Sequence, residues 1–196
     1  MIVLIGGASC TGKTLLAQRL LERTHLPYLS LDHLKMGWIR GLPGCPFTAT
    51  DSIEAIGRAL WPVVRGTLLT VAENRQHLIV EGCYLLPRLV DDLPDEAKAD
   101  TLACFVGFSE GYLRSHFADG IVAHRNAMEM RGEGEERLPE TFLQEHSYFR
   151  DECRRFGLPY VEIAEEYEWE MTAVLDDLTA AVKARRGTPL TGWLPQ

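Results

Sequence analysis

The sequence lacks any long hydrophobic run: nowhere do about 18 or more apolar residues follow one another, which excludes a membrane-spanning helix. It also lacks the spacing of metal ligands. The five cysteines (Cys10, Cys45, Cys83, Cys104 and Cys153) lie far apart with no Cys-x-x-Cys pair, and the six histidines form no metal pattern. Neither a zinc site nor a disulfide framework is therefore expected. Reduced thiols of this kind suit a cytoplasmic protein, and an apolar strand beginning at Ile2 leaves no room for a signal peptide. Positive charge is scarce, with 20 Lys and Arg against 28 Asp and Glu, a formal net charge of −8. Such a balance disfavours nucleic acid as a partner, because affinity there comes from neutralising phosphates. Any anion site must then be a local arrangement of groups. Internal repeats and dividing linkers are absent too, so the 196 residues, 46% of them hydrophobic, read as one domain with a real core.

What the sequence does contain is Gly7-Ala8-Ser9-Cys10-Thr11-Gly12-Lys13-Thr14. It fits the phosphate-loop pattern of glycine, four free positions, then Gly-Lys-Ser/Thr. The apolar run Ile2-Val3-Leu4-Ile5 precedes it and suits a strand buried on both faces. Leucines and an alanine at helical spacing follow from Leu15 to Glu22. The loop thus opens a helix, where backbone N–H groups and the helix dipole favour an anion. In that setting Gly7 and Gly12 let the backbone approach phosphates, Lys13 reaches the β- and γ-phosphates, and the Thr14 hydroxyl ligates Mg²⁺. Cys10, near a helix N-terminus, is either an oxidation-sensitive thiol or a small residue that fits.

Along the chain, strands alternate with helices. A first helix is expected over 13–24, a short strand over 28–31 stopping at Asp32, and a helix over 33–40. A loop rich in Gly and Pro follows at 41–46. Asp51-Ser52-Ile53-Glu54 resembles a capping box. It opens a long helix to about Asn74, with Pro62 expected to kink it. Further strands are expected over 78–80, 102–108 and 160–163. Ser109 caps a helix to about Phe117, and later helices run over 140–156 and 168–185. Residues 118–137 turn polar and glycine-bearing, and 187–196 read as a tail in which Leu190, Trp193 and Leu194 are candidates for docking. This alternation implies a parallel sheet covered on both faces. Gly7, Asp32, Glu81 and Ser109 each follow a strand and should gather at the sheet's carboxyl edge, where such sheets bind ligands.

The phosphate loop, the acid after strand two, Glu81-Gly82 after strand three and the arginine-bearing, glycine-rich segment after strand four together resemble the small P-loop kinases. These include the nucleoside monophosphate, shikimate and gluconate kinases, and the resemblance covers nearly the whole chain. A closer likeness, to 2-phosphoglycerate kinase-like proteins, rests on Leu31-Asp32-His33-Leu34-Lys35-Met36-Gly37-Trp38-Ile39-Arg40 and Val80-Glu81-Gly82-Cys83-Tyr84-Leu85-Leu86-Pro87. Glu81-Gly82 with Pro87-Arg88 is also similar to the Asp-Gly-Phe-Pro-Arg stretch of monophosphate kinases. It differs in having Glu for Asp and four residues between Gly82 and Pro87 in place of one. The resemblance implies a three-layer α/β P-loop fold, a five-stranded parallel sheet in the order 2-3-1-4-5, and a lid at about 118–137.

ATP and Mg²⁺ are the cofactors so implied, and the activity is transfer of the γ-phosphoryl group to a small-molecule acceptor, either a hydroxyl or a phosphate. Asp32 is the candidate base for the acceptor hydroxyl, or else the N-cap of the next helix. Glu81 is placed to hold Mg²⁺ through water, or to end a strand in solvent. Arg40 and Arg88 are candidates for binding an anionic group on the acceptor, or plain surface arginines. Arg125 and Arg131 are candidates for stabilising the transferring phosphoryl group from the lid, with Arg114 and Arg137 behind them. The alternatives are a nucleoside monophosphate kinase and, from another class, an ATP-binding switch or ATPase module acting on a partner protein.

Overall fold

Ile2, Val3, Leu4 and Ile5 are each 0% exposed, because their strand lies in the middle of the sheet with helices on both sides. The computed structural model describes residues 1–117, 121 and 138–186. Its elements are β1 (Ile2–Gly7), α1 (Lys13–Thr24), β2 (Tyr28–Ser30), α2 (Leu31–Gly41), α3 (Ile53–Glu73), β3 (Leu78–Glu81), α4 (Pro87–Val90), α5 (Asp95–Ala99), β4 (Thr101–Phe108), α6 (Glu110–His116), α7 (Pro139–Phe156), β5 (Tyr160–Ile163) and α8 (Tyr167–Arg186). The five strands are parallel in the order β2-β3-β1-β4-β5, as expected.

The two-residue period of a strand sorts β1 between two cores. Ile2 and Leu4 join Ile56, Leu60, Val64 and Leu68 of α3 and Phe149 of α7 on one face. Val3 and Ile5 join Leu16 and Leu20 of α1 and Val174 and Leu175 of α8 on the other. Each fully buried aliphatic side chain contributes about 1.5–3 kcal/mol, so the strand that leads into the phosphate loop is held from both sides. Among the described residues, no helix is long and apolar enough to cross a membrane.

The register aligns the functional ends of the strands. Ile5 pairs with Glu81, and Ser30 pairs with Glu81 from the other side. Gly7 pairs with Val106 of β4.

Two local expectations are corrected. Strand β2 ends at Ser30 and α2 begins at once at Leu31, so Asp32 lies inside the first helical turn and the N-cap position is Ser30. The long helix α3 is capped by Ser52, whose hydroxyl accepts from Ala55 N at 3.1 Å. Glu54 is therefore not a capping-box partner; it pairs with Arg58 and Arg88. That helix runs unbroken through Pro62 to Glu73. The short helices α4 and α5 were not expected, since four and five residues carry no periodic signal.

Candidate active site

The phosphate loop needs its glycines for different reasons. Gly7 has φ +118°, and a Cβ there would lie 2.0 Å from the Val106 carbonyl oxygen. No side chain fits so close to the backbone of β4. Gly12 has φ +79° and forms the N-cap of α1, and a Cβ there would meet the Tyr167 hydroxyl at 1.8 Å. Cys10 also takes a left-handed conformation, at φ 62°, and is exposed. The loop is closed on itself by Thr11, fully buried, whose hydroxyl donates to Ala8 O at 3.0 Å.

Lys13 is 7% exposed and folded back: its ammonium donates to the Ala8 carbonyl and, at 3.3 Å, to Thr11 Oγ1. It has no ion pair among the described residues, so its charge rests on loop dipoles. The Ser9 N–H donates to the carboxylate of Glu145 on α7. A carboxylate thus occupies one of the backbone donors that a phosphate would take.

Glu81 is 1% exposed, and Thr14 Oγ1 donates to its Oε2 at 3.2 Å. Burial raises its pKa, opposed by the Lys13 charge. Its Oε1 is buried and makes no hydrogen bond among the described residues, and neither does Ser30 Oγ. The Ser30 hydroxyl is close enough to favour the ionised carboxylate without reaching bonding geometry. An orphaned buried carboxylate oxygen beside a phosphate-loop hydroxyl is a hard-oxygen donor set that fits Mg²⁺, with Thr14 and Glu81 as the holding residues. No group of three or more His, Cys, Asp or Glu among the described residues could hold a metal alone. The remaining positions on such an ion would fall to water and phosphate oxygens.

Asp32 sits on the same edge. Its Oδ1 is 3.5 Å from Lys35 Nζ, one helical turn on, and the Lys35 ammonium donates to Tyr84 OH at 2.6 Å. Cys83, just past the end of β3, is a buried thiol that desolvation pushes up to about 12, with the charges of Asp32, Lys13, Glu145 and Lys35 also acting on it.

Other predicted residues are elsewhere. Arg88 is taken up by Glu54 at 3.1 Å, Glu152 at 3.2 Å and the Tyr148 hydroxyl at 2.7 Å, tying α4 to α3 and α7. Arg40 is exposed in the last turn of α2, about 12 Å along the helix from Asp32 at 1.5 Å per residue. Arg114 makes an exposed i,i+4 pair with Glu110 at 2.8 Å. Arg125, Arg131 and Arg137 lie outside the described residues, as does the expected lid apart from Ile121, and so does the tail 187–196.

Sequence reasoning missed Lys35, Tyr84, Glu145 and His146. Lys35 had a signal, since i and i+3 share a helix face. Glu145 had none, because it reaches Ser9 across 136 residues. His146 is 3% exposed, its Nδ1 accepts from Phe108 N at 2.8 Å, and burial, with the Lys13 charge, lowers its pKa to about 3.

No family model matches the chain, and none of the curated proteins matches it. Solved structures do. A gluconokinase from Sinorhizobium meliloti 1021 is 19% identical, with 93% of this chain and 95% of that one covered and a TM-score of 0.53. A shikimate kinase from Bacteroides thetaiotaomicron is 15% identical, covering 93% and 98%, with a TM-score of 0.51. A deoxyadenosine kinase from M. mycoides is 11% identical, covering 92% and 100%, with a TM-score of 0.52. At these identities the likeness is one of fold. The protein has the P-loop kinase fold, over nearly its full length.

Proposed function

We propose that the protein is an ATP- and Mg²⁺-dependent kinase that moves the γ-phosphoryl group of ATP to a hydroxyl on a small molecule. The observation that carries this reading is the Thr14–Glu81 hydrogen bond at the carboxyl edge of the sheet, with Lys13 in the adjoining loop and Asp32 two residues past Ser30, which pairs with Glu81. A nucleotide-binding loop needs Lys13, and a divalent cation needs the Thr14–Glu81 pair. An acceptor hydroxyl needs Asp32, a carboxylate one strand away, which a module that only binds nucleotide would not require. The kinases of similar fold, acting on gluconate, shikimate and deoxyadenosine by their names, support the reaction class.

In this reading the backbone N–H groups of residues 8–13 hold the β-phosphate, and Lys13 turns from the Ala8 carbonyl to the β- and γ-oxygens. Thr14 and Glu81 hold Mg²⁺, which when bound supplies neutralising charge to those oxygens. Asp32 accepts the proton of the acceptor hydroxyl as its oxygen bonds to the γ-phosphorus and the bond from that phosphorus to the bridging oxygen breaks, releasing ADP. Arg125 and Arg131 are the proposed source of further positive charge at the transferring group. Arg40 is proposed to act on the acceptor only at its outer end, and Arg88 to hold the acceptor-side wall. The narrower likeness to 2-phosphoglycerate kinase-like proteins is supported by residues 31–40 and 80–87, which supply both Asp32 and Glu81. The five cysteines are all thiols, which supports a cytoplasmic location.

The test is a calorimetric titration with ATP and Mg²⁺, paired with ADP release across a panel of hydroxylated small molecules. Lys13→Ala should lower nucleotide affinity and turnover together while the melting temperature stays near that of the wild type. Unaltered nucleotide affinity in Lys13→Ala sinks the assignment. Slow ATP hydrolysis that no small molecule accelerates favours a switch or ATPase module acting on a partner.

A further inference from the structure

Helix α8 and strand β5 leave a groove between them. In the sheet β5 is an edge strand, paired with β4 alone. The groove has a volume of about 410 Å³, and its apolar lining includes Val161 of β5 and Trp169, Ala173, Val174 and Leu178 of α8. Trp169 is 68% exposed, and Ala173 is exposed too. An indole left in water forgoes the large burial that makes aromatic side chains valuable in a core. Exposed apolar residues gathered in one place, with polar groups beside them, mark where something binds. The polar groups here are Glu170 and Asp177.

The end of α8 brings a suitable segment to this groove. Arg185 Nη1 donates to Ala99 O at 3.1 Å and Arg186 Nη1 to Thr24 O at 2.6 Å, so the helix finishes at the amino edge of the sheet. Ala103, near the start of β4, and Ala181 of α8 line the groove toward that edge. Residues 187–196 come next and lie outside the described residues. Their sequence holds Leu190, Trp193 and Leu194 and no charged side chain. A glycine directly after a helix, here Gly187, frees the chain to turn back, and Pro189 cannot continue a helix. The lengths agree. From Arg186, an extended chain reaches about 13 Å at Leu190 and about 23 Å at Trp193. Measured back along α8 from the same point, Ala181 is about 7.5 Å away and Ala173 about 20 Å.

We propose that residues 187–196 turn back along α8 and dock in this groove, with Leu190 near Ala181, and Trp193 and Leu194 over Ala173 beside Trp169. The charges suit an uncharged occupant. Glu170 is already taken up by the N–H groups of Ala164, Glu165 and Glu166, and Asp177 is exposed to water. An acidic peptide would be repelled, and no cation is required. The segment is also tethered at the groove's own end, which gives it a millimolar effective concentration that a second copy of the chain does not reach in dilute solution. The docked segment would brace α8, the helix whose Tyr167 hydroxyl donates to Thr11 O of the phosphate loop at 3.4 Å. The proposal does not depend on the kinase reading or on the acceptor.

The experiment is amide hydrogen exchange on the full chain, read by mass spectrometry. Amides of residues 190–194 should exchange at least about tenfold more slowly than in a synthetic peptide of residues 187–196. Ala173→Arg puts a bulky charge in the groove at an exposed helical position and should return those amides to the peptide's rate. Thermal melts give a second reading that needs no exchange data. The triple variant Leu190→Ser, Trp193→Ser, Leu194→Ser should melt about 2–4 °C or more below the wild type. Adding Ala173→Arg to it should lower the melt little further, since both changes remove one interaction. Peptide-like exchange in the wild-type chain overturns the proposal, as does slow exchange that Ala173→Arg leaves unaltered, which would mean docking elsewhere. A triple variant that melts like the wild type, with sedimentation showing a pair of chains that Ala173→Arg separates, assigns the groove to a second copy and overturns it too.

Discussion

The Ser9 N–H of the phosphate loop donates to the Glu145 carboxylate, so helix α7 lays a negative charge on a cradle shaped for a phosphate. Nucleotide must take that donor from Glu145 and meet the repulsion of its charge. Glu145→Gln removes the charge and retains the length of the side chain. Hydrogen bonds to charged groups are worth about 1.5–3 kcal/mol, part of which ATP now has to offset. The variant is expected to bind ATP about tenfold more tightly, read by calorimetry at low salt. Weaker binding would mean that Glu145 supports the loop in its working form.

Asp32 is expected to matter for transfer and little for holding ATP. Asp32→Asn should lower kcat by roughly 10²–10⁴-fold with ATP affinity nearly unchanged. The N-cap position of α2 is Ser30, so loss of a cap does not compete as an explanation. A wild-type kcat with a verified acceptor would remove Asp32 from the chemistry.

Glu81→Gln tests the cation. Its side chain keeps an oxygen for the Thr14 hydroxyl and loses the charge, so fold and ATP affinity in the absence of metal should hold. The Mg²⁺ concentration for half-maximal turnover should rise about tenfold or more. A metal titration that overlays the wild type would assign Glu81 to the strand end alone.

His146 predicts a dependence of stability on pH. Its folded pKa is lowered from 6.5 to about 3 by burial, so below pH 6.5 the unfolded chain binds a proton that the folded chain refuses. Its contribution is complete above about pH 6.5 and is lost as pH falls toward 3, at no more than about 1.4 kcal/mol per pH unit. Glu81, whose pKa is raised, acts in the opposite sense above its ordinary value, where the folded chain holds the extra proton. His146→Gln can still accept from Phe108 N, and its melting temperature should fall less steeply than that of the wild type between about pH 6.5 and pH 4.5. Parallel curves would mean that His146 does not set the slope.

Much of this was legible in the sequence because it is local. The phosphate loop, its flanking strand and helix, and the alternation that sets the sheet all lie within short windows, and the strand order follows from the family resemblance they support. The position of Asp32 was misread by two residues, because a strand that passes into a helix without a loop leaves no turn residues to mark the change. The partners of Arg88 were not legible for a different reason: Glu54 and Tyr148, which take up its guanidinium, stand 34 and 60 residues away. Charge type is visible in a sequence, whereas what neutralises that charge is a property of the packed helices. Lys35 stood within the stretch used for recognition, but its burial beside Tyr84, 49 residues on, could not be read there.

Helix α7 grips the rest of the molecule just beyond Glu145. His146 accepts from the end of β4, Phe149 is fully buried against Phe105, and Tyr148 and Glu152 hold Arg88. A helix anchored at four successive points cannot slide away when a phosphate arrives. Clearing the loop is then the rotation of one glutamate side chain about its own bonds, a ps–ns event for an accessible side chain. Nucleotide capture at this loop should accordingly follow a single exponential limited by encounter, with no slow phase from rearrangement of the helix.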